Sequence, residues 1–246
     1  MKKSIILLAS VLFSIIAFAQ TDEDKKKLRD EINSKDRVVI ELTHDNMYTQ
    51  NDAIDLGDTL GIQWYSRGFN MYLMYDVNIG DSRFSIAPGI GISSKNYFLE
   101  SELVPTFDTS GRRDGTAVVP IDENRDFKKY KLNPVFVDVP LELRYRSRPD
   151  VNGRSFKLGL GLKGGYLLDA KTKYKGDASV TSGNQIRIKD KDDSVEDLNK
   201  FRYGVTARIG YGAINIFGFY GLSTVFETDR GIEAYPFSVG ISINGL

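Results

Sequence analysis

The sequence predicts an all-β protein, an eight-stranded antiparallel up-and-down transmembrane β-barrel that follows an export signal. Three observations support this prediction: an apolar N-terminus that ends in a cleavage pattern, apolar residues at alternate positions over most of the remaining chain, and connections that alternate in length. Short periplasmic turns on one side and long extracellular loops on the other are the layout of an outer-membrane barrel.

Residues 1–19 form a predicted secretory signal peptide. Two lysines start the segment, the stretch Ile5–Phe18 is apolar apart from two serines, and a small-x-small pattern closes it. A positive start, an apolar core and a cleavage pattern are typical of exported proteins, and we expect cleavage between Ala19 and Gln20. The apolar stretch is too short for a transmembrane helix.

The mature chain divides into two predicted parts. Residues 20–36 are charged and weakly helical, so we expect a periplasmic lead-in there, while residues 37–246 form the barrel domain. The chain has no cysteine, so no disulfide supports the fold in an oxidising compartment. Its 33 basic and 33 acidic residues give a formal net charge of zero, which argues against nucleic-acid binding.

Apolar residues at every second position mark the strands, because successive side chains of a strand point to opposite faces. In Phe69–Ile79, for example, every odd position is apolar or aromatic, and the even positions include asparagine and aspartate. Ile214–Phe226 is also strand-like, but its aromatic residues fall on both parities, so its faces stay unassigned. The predicted strands, each long enough for a tilted membrane crossing, are 38–46, 69–79, 84–98, 135–145, 156–168, 201–211, 214–226 and 235–243.

The connections between these strands alternate in length. Tight turns are predicted at Gly80-Asp81, Ser147–Arg154 and Gly212-Ala213. The other connections are longer and polar, as expected for extracellular loops. They cover about 47–63, 99–129, 170–199 and, more briefly, 227–233.

The face opposite the apolar one separates a membrane barrel from a soluble barrel or sandwich. A soluble barrel would turn its apolar face inward, whereas here one face is apolar and aromatic and the other combines glycines with charges of both signs. Eight strands enclose a lumen with room only for side chains, which suits that polar face. The predicted lumenal charge network is Glu41, Asp76, Asp138, Glu142, Arg144, Lys157, Lys163, Arg202 and Arg208, with Asp45, Lys95 and Arg146 on the same parity.

A glycine motif within residues 157–170 permits a second interpretation. Gly159, Gly161 and Gly164 match the G-x-G-x-x-G turn of dinucleotide-binding domains. That turn must lie between a strand and a helix, with an acidic residue about twenty positions later. Here the glycines fall inside a predicted strand that runs into a polar loop, so we interpret the segment as a membrane strand.

No catalytic, cofactor-binding or metal site is predicted. The single histidine, His44, falls on the lipid-facing parity and its neighbour Asp45 on the lumenal one, which favours an interfacial histidine over a general base. Asp138 and Glu142 share the lumenal face, and we expect them to pair with lumenal cations. The acidic run at 190–197 lacks the glycine and spacing of a calcium-binding loop.

Several segments resemble the PorT-like outer-membrane β-barrel family of Bacteroidetes-type bacteria. The resemblance is spread over most of the mature chain and is carried by VFVDVPLELRYR (135–146), KLGLGLKGGYLLDAKTKYK (157–175), LNKFRYGVTARIGYG (198–212) and the ending from YGLSTVFE to PFSVGISI (220–243). The resemblance implies an integral outer-membrane protein. In one branch of the family, such proteins serve the gliding-associated protein secretion system.

These observations lead us to expect a non-enzymatic, monomeric barrel of the cell outer membrane with a plugged lumen. Its expected partners are outer-membrane lipid and, through the loops 99–129 and 170–199, other envelope or secretion-system proteins, but not nucleic acid. Two alternatives stay open: a narrow porin-like channel for small solutes, and a lipid-modifying or proteolytic outer-membrane enzyme centred on His44.

Overall fold

The computed structural model describes residues 38–49, 60–80, 82–121, 127–152, 154–176 and 196–244. These residues all belong to one compact unit, Asp36–Leu246. The predicted signal peptide, its cleavage site at Ala19 and Gln20, and the lead-in at 20–36 lie outside the described residues. Within the described ranges, no helix has the length and apolar character needed to cross a membrane.

The described part of the chain is built from strands that run antiparallel to their neighbours. They are β1 (Val38–Tyr48), β2 (Arg67–Met74), β3 (Val77–Asn78), β4 (Phe84–Leu99), β5 (Ser101–Phe107), β6 (Arg113–Pro120), β7 (Phe127–Arg146), β8 (Phe156–Gly176), β9 (Phe201–Tyr211), β10 (Ile214–Gly221) and β11 (Tyr235–Asn244).

All strands except β5 and β6 join in one closed sheet. Its order is β2-β1-β11-β10-β9-β8-β7-β4-β3, and a further pairing between β2 and β4 closes the ring. Because β2 and β3 keep the same register against β4, they form one interrupted strand, and the barrel has eight strands. The predicted fold class is therefore confirmed.

A proline explains the interruption between β2 and β3. The N–H of Tyr75 donates to the carbonyl of Pro88 at 2.9 Å. In an antiparallel ladder the two residues of such a pair exchange both hydrogen bonds. Pro88 has no N–H to return to Tyr75, so the ladder loses one bond there.

Each barrel strand presents apolar side chains outward and polar or small ones inward. In β2, for example, Phe69, Met71 and Leu73 are exposed, while Asn70 and Tyr72 are buried. A soluble protein would not leave so many large apolar side chains uncovered, whereas lipid would cover them. The same alternation separates His44, which is exposed on the outer face, from Asp45, which is buried in the lumen.

Strand β10, whose faces the sequence leaves unassigned, has aromatic side chains on both faces. Ile216 and Tyr220 point outward, while Phe217 and Phe219 are buried in the lumen. Both phenylalanines contact lumenal cations through their ring faces. Aromatic side chains therefore occur on both parities because one set faces lipid and the other covers charges.

The long connection predicted at 99–129 contains strands that the sequence analysis does not predict. It holds a separate antiparallel hairpin, β5 with β6, and β7 begins at its end. Strand β8 also continues into the loop predicted at 170–199, as far as Gly176. Side chains such as Leu99, Leu103 and Leu132 are buried here, so this part of the structure has an apolar core of its own.

Candidate functional site

The lumen nearest the short turns holds a chain of ion pairs around Arg208. The Arg208 guanidinium lies 2.7 Å from Glu41 Oε1 and 3.0 Å from Glu142 Oε1. Glu142 also accepts a bond from Arg144 at 2.8 Å, and Arg144 reaches Asp76 at 2.9 Å. Alternating signs thus connect β1, β7, β9 and the gap between β2 and β3.

The middle of the lumen is organised around Asp138. Its two carboxylate oxygens accept bonds from Arg202 Nη2 at 2.8 and 2.9 Å, and Oδ2 accepts a further bond from the Tyr72 hydroxyl at 3.0 Å. Arg202 also donates to Ser93, and its guanidinium carbon lies 3.8 Å from the ring centroid of Phe136. The carboxylate and the guanidinium are therefore both paired and shielded.

The lumen nearest the loops contains a third group of charges. Lys95 Nζ lies 2.8 Å from Asp45 Oδ1 and donates to the hydroxyls of Thr43 and Ser238, each at 3.1 Å. Lys95 and Asp45 are fully buried. The Asp45 carboxylate is thus paired with Lys95, on the opposite side of β1 from His44.

Two further lysines complete the set. Lys163 is buried between aromatic side chains: its Nζ lies 4.1 Å from the ring centroid of Phe219, 5.4 Å from that of Phe217 and 3.4 Å from the Tyr72 hydroxyl. Lys157 is half-buried at the turn-side end of the lumen. Beside it, a cavity of about 10 Å³ has room for about one water molecule.

The buried lumenal charges balance each other. A charge in a low-dielectric interior is tolerated when an opposite charge or hydrogen bonds compensate it. The buried acids are Glu41, Asp45, Asp76, Asp138 and Glu142, and the buried bases are Lys95, Arg144, Lys163, Arg202 and Arg208. Of the nine residues of the predicted network, all except Lys157 belong to this buried set.

The predicted charge network leaves out the neutral side chains of the lumenal face. Asn70 donates to Glu41 at 2.8 Å, Tyr72 binds Asp138, and Ser238 binds Lys95. Strand parity places all three at lumenal positions, but it does not show which charge each one contacts. They provide hydrogen bonds to the carboxylate and ammonium groups in addition to those of the ion pairs.

Glycines of β8 make room for these charges. A Cβ at Gly161 would lie 2.5 Å from the Leu141 carbonyl oxygen and 2.8 Å from Glu142 Cγ, and one at Gly165 would collide with the Asp138 carboxylate. Gly159 and Gly161 lie within β8, which runs from Phe156 to Gly176, so no strand-to-helix turn is present at these glycines. Of the glycines in the G-x-G-x-x-G match, Gly161 makes room for Glu142, Gly159 lies on the same lumenal face, and Gly164 lies on the outer face of the barrel.

An apolar cap covers the loop end of the lumen. Its buried residues are Met47, Leu60, Tyr97, Leu99, Leu103, Tyr130, Leu132, Leu198, Phe226 and Ala234. Asp197 connects the loops of this cap: its carboxylate accepts bonds from Thr116 at 2.7 Å, from Arg113 at 2.8 and 3.0 Å, and from Arg230 at 3.3 Å. The hairpin β5–β6 is thereby tied to the segments before β9 and before β11.

We expect the cap to loosen in acid, because Asp197 must be ionised to keep these partners. Burial raises the pKa of Asp197, but the hydrogen bonds from Thr116, Arg113 and Arg230 outweigh it and hold the pKa below the ordinary value of aspartate. Such a depressed pKa adds stability that is complete above the unfolded-state pKa of about 3.9 and is lost as the pH falls through the lower, folded-state pKa.

Hydrogen-exchange protection measures this effect. Protection factors of the β5–β6 amides should fall below about pH 4, while those of β9 should not. Asp197→Asn, the matched control, should show the low protection at neutral pH as well. Equal protection of the hairpin in the wild type on both sides of that pH range would contradict the expectation.

The residues discussed as catalytic or metal-binding candidates are not brought together. His44 and Asp45 lie on opposite faces of β1, and Asp138 and Glu142 are each paired with their own arginine. Among the described residues, no three histidine, cysteine, aspartate or glutamate side chains are grouped in a way that could hold a metal ion.

The match to a protein-family model agrees with the architecture. Residues 29–226 match the protein family described as "Outer membrane protein beta-barrel domain". Among solved structures, the chain is similar to Ail, the attachment invasion locus protein of Yersinia pestis, at 10% identity and a TM-score of 0.30, with 84% of this chain and 94% of that chain covered. A second Ail structure, in complex with the heparin analogue sucrose octasulfate, is 9% identical with a TM-score of 0.29 and the same coverage.

No curated protein matches the sequence. The family match nevertheless covers most of the chain, and the closed sheet has an apolar outer face and a charged lumen. The chain therefore belongs to the outer membrane protein β-barrel domain family and is located in the cell outer membrane.

Proposed function

We propose that this protein is a non-enzymatic structural or interaction component of the cell envelope, a barrel whose lumen is plugged by its own side chains. The observation that carries the proposal is the filled lumen: three groups of paired charges, with phenylalanine rings between them, lie below an apolar cap. Such a barrel offers partners its outer surface and its loops.

Planar-bilayer recording tests the plugged lumen against the alternative of a narrow channel for small solutes. We expect purified, folded protein to give no stable single-channel steps, because paired charges and phenylalanine rings occupy the described part of a lumen that has room only for side chains. Folded protein is identified by heat-modifiable gel mobility, and heat-denatured protein serves as the control. Reproducible steps from the folded form alone would refute the plug and favour the channel.

The proposal also assigns no catalytic role to His44. A general base needs a partner that orients it and a substrate within hydrogen-bond reach. The neighbouring carboxylate of Asp45 faces the lumen and binds Lys95, so it does not orient the histidine. Altered envelope lipids or proteins in a His44→Ala strain would overturn this assignment.

A more specific role, in protein secretion, is suggested by sequence resemblance. We propose a PorT-like protein that is exported by the signal peptide at 1–19 and contacts secretion-system proteins through the loop regions 99–129 and 170–199. The segments 135–146 and 157–175, which resemble that family, support it. A strain that lacks the gene but keeps its full set of secreted and surface proteins would rule out the secretion role.

A further inference from the structure

Strands β7 and β8 extend past the apolar outer band as a ribbon with a basic outward face. The register places Lys171 opposite Asn133 and Lys173 opposite Lys131. We name Lys131, Lys171 and Lys173 the lysine ladder. The other face of the ribbon, with Tyr130 and Leu132, is buried in the apolar cap, so the ribbon is anchored from behind.

The height of the ladder on the barrel follows from strand geometry. The outward residues of β7 below it run from Tyr145 to Val135, ten residues along the strand. At about 3.4 Å per residue and a tilt of about 40°, this stretch spans roughly 26 Å, close to the height of the apolar band of an outer-membrane barrel. The ladder therefore begins where lipid headgroups lie, on the side of the long extracellular loops.

The ladder concentrates positive charge. Lys131 and Lys173 are Cα partners across the strand pair, so both positive charges lie on the same outward face. Lys171 on that face lies 2.5 Å from Asp169. Several basic side chains on one face beside the membrane attract an anionic lipid.

The basic surface continues around the barrel beyond β7. Lys131 Nζ donates to Asn96 Oδ1 at 2.6 Å, and Asn96 is paired in register with the exposed Arg67 of β2. Within the described residues, neither the Arg67 guanidinium nor the Lys173 ammonium donates a hydrogen bond. Both groups lie at the outer surface, where a ligand could accept from them.

We propose that the lysine ladder and Arg67 bind the phosphate groups of lipid headgroups in the outer leaflet. Lysine and arginine are the side chains that recognise phosphate, and basic clusters beside a membrane-spanning segment attract anionic lipid. A lipid fits better than a soluble anion because exposed apolar side chains, Tyr166 and Leu168 among them, lie directly below the ladder. Phosphate would contact the ladder while the acyl chains cover that apolar surface.

Native mass spectrometry of the full chain in detergent micelles tests the proposal. The probes are phosphatidic acid and, with the same acyl chains, zwitterionic phosphatidylcholine. We expect the wild type to retain phosphatidic acid preferentially and Lys131→Gln/Lys173→Gln to weaken that retention by about 25-fold, about five-fold for each charge removed. Arg83→Gln/Arg148→Gln, the matched control, removes two charges at the turn end and should leave retention unchanged.

Three results would overturn the proposal: equal retention of both lipids, unchanged retention by the ladder variant, or displacement of the lipid by an equal concentration of inorganic phosphate. The last result would identify soluble phosphate as the ligand. Heat-modifiable gel mobility checks that each variant is folded. If the double variant does not fold, Lys173→Gln carries the test alone, with an expected loss of about five-fold.

Discussion

Arg208→Ala is expected to destabilise the folded barrel by about 3–5 kcal/mol, the cost of breaking a buried ion pair from one side. Arg208 is the common partner of Glu41 and Glu142, and both carboxylates are buried. Removing it leaves two negative charges in the lumen, one with Asn70 and one with Arg144 as remaining partners. Denaturant unfolding of the protein in lipid vesicles measures the change in the free energy of unfolding.

The matched control for this prediction removes one charge of each sign. In Glu41→Met/Arg208→Met, Glu142 keeps Arg144 as its partner, and buried ion pairs replaced by apolar residues of similar volume often lose no stability. We therefore expect the double variant to be more stable than Arg208→Ala. If the single variant unfolds at the wild-type denaturant concentration, the buried network does not stabilise the barrel as described.

Leu162→Arg is expected to cost about 2–4 kcal/mol, because the outer face of the barrel contacts the lipid interior. Leu162 is 61% exposed and lies halfway along the outward row of β8, opposite Leu141 on one neighbour and Val205 on the other. On a soluble protein, a charge at so exposed a position would change stability by no more than about 0.5 kcal/mol. The same vesicle unfolding experiment measures it.

Val151→Arg is the control for the lipid-facing site. Val151 is fully exposed in the turn between β7 and β8, which lies in water on the periplasmic side. The same change of residue type there should be within about 0.5 kcal/mol of the wild type. Equal effects at the two positions would mean that the outer face of β8 is not embedded in lipid.

Strand parity predicted more of this protein than any motif did. Along β7, the alternation of Val139, Leu141 and Leu143 with Asp138 and Glu142 separates the two faces without knowledge of the neighbours. The reason is geometric: a strand has a side-chain period of two, and a slip of one position would turn every charge toward lipid.

Parity could not identify the contents of the cap. The hairpin β5–β6 has short strands and mixed faces, and Asp197 gains its partners from segments far away in the sequence, such as Arg113. Nothing within a local window distinguishes a solvated acidic loop residue from a buried carboxylate with three donors. Only the folded loops bring Thr116, Arg113 and Arg230 to one point.

The sequence by itself predicts an export signal, which stays a prediction. It determined the strand count, the outward apolar faces and the types of residue that face the lumen, since each follows from a side-chain period of two. The tertiary structure decided which charges meet, why Phe217 and Phe219 lie inside, and how the cap and the lysine ladder form. Those features depend on which strands are neighbours and on their stagger. Closure of the barrel sets both, and no local stretch of sequence encodes it.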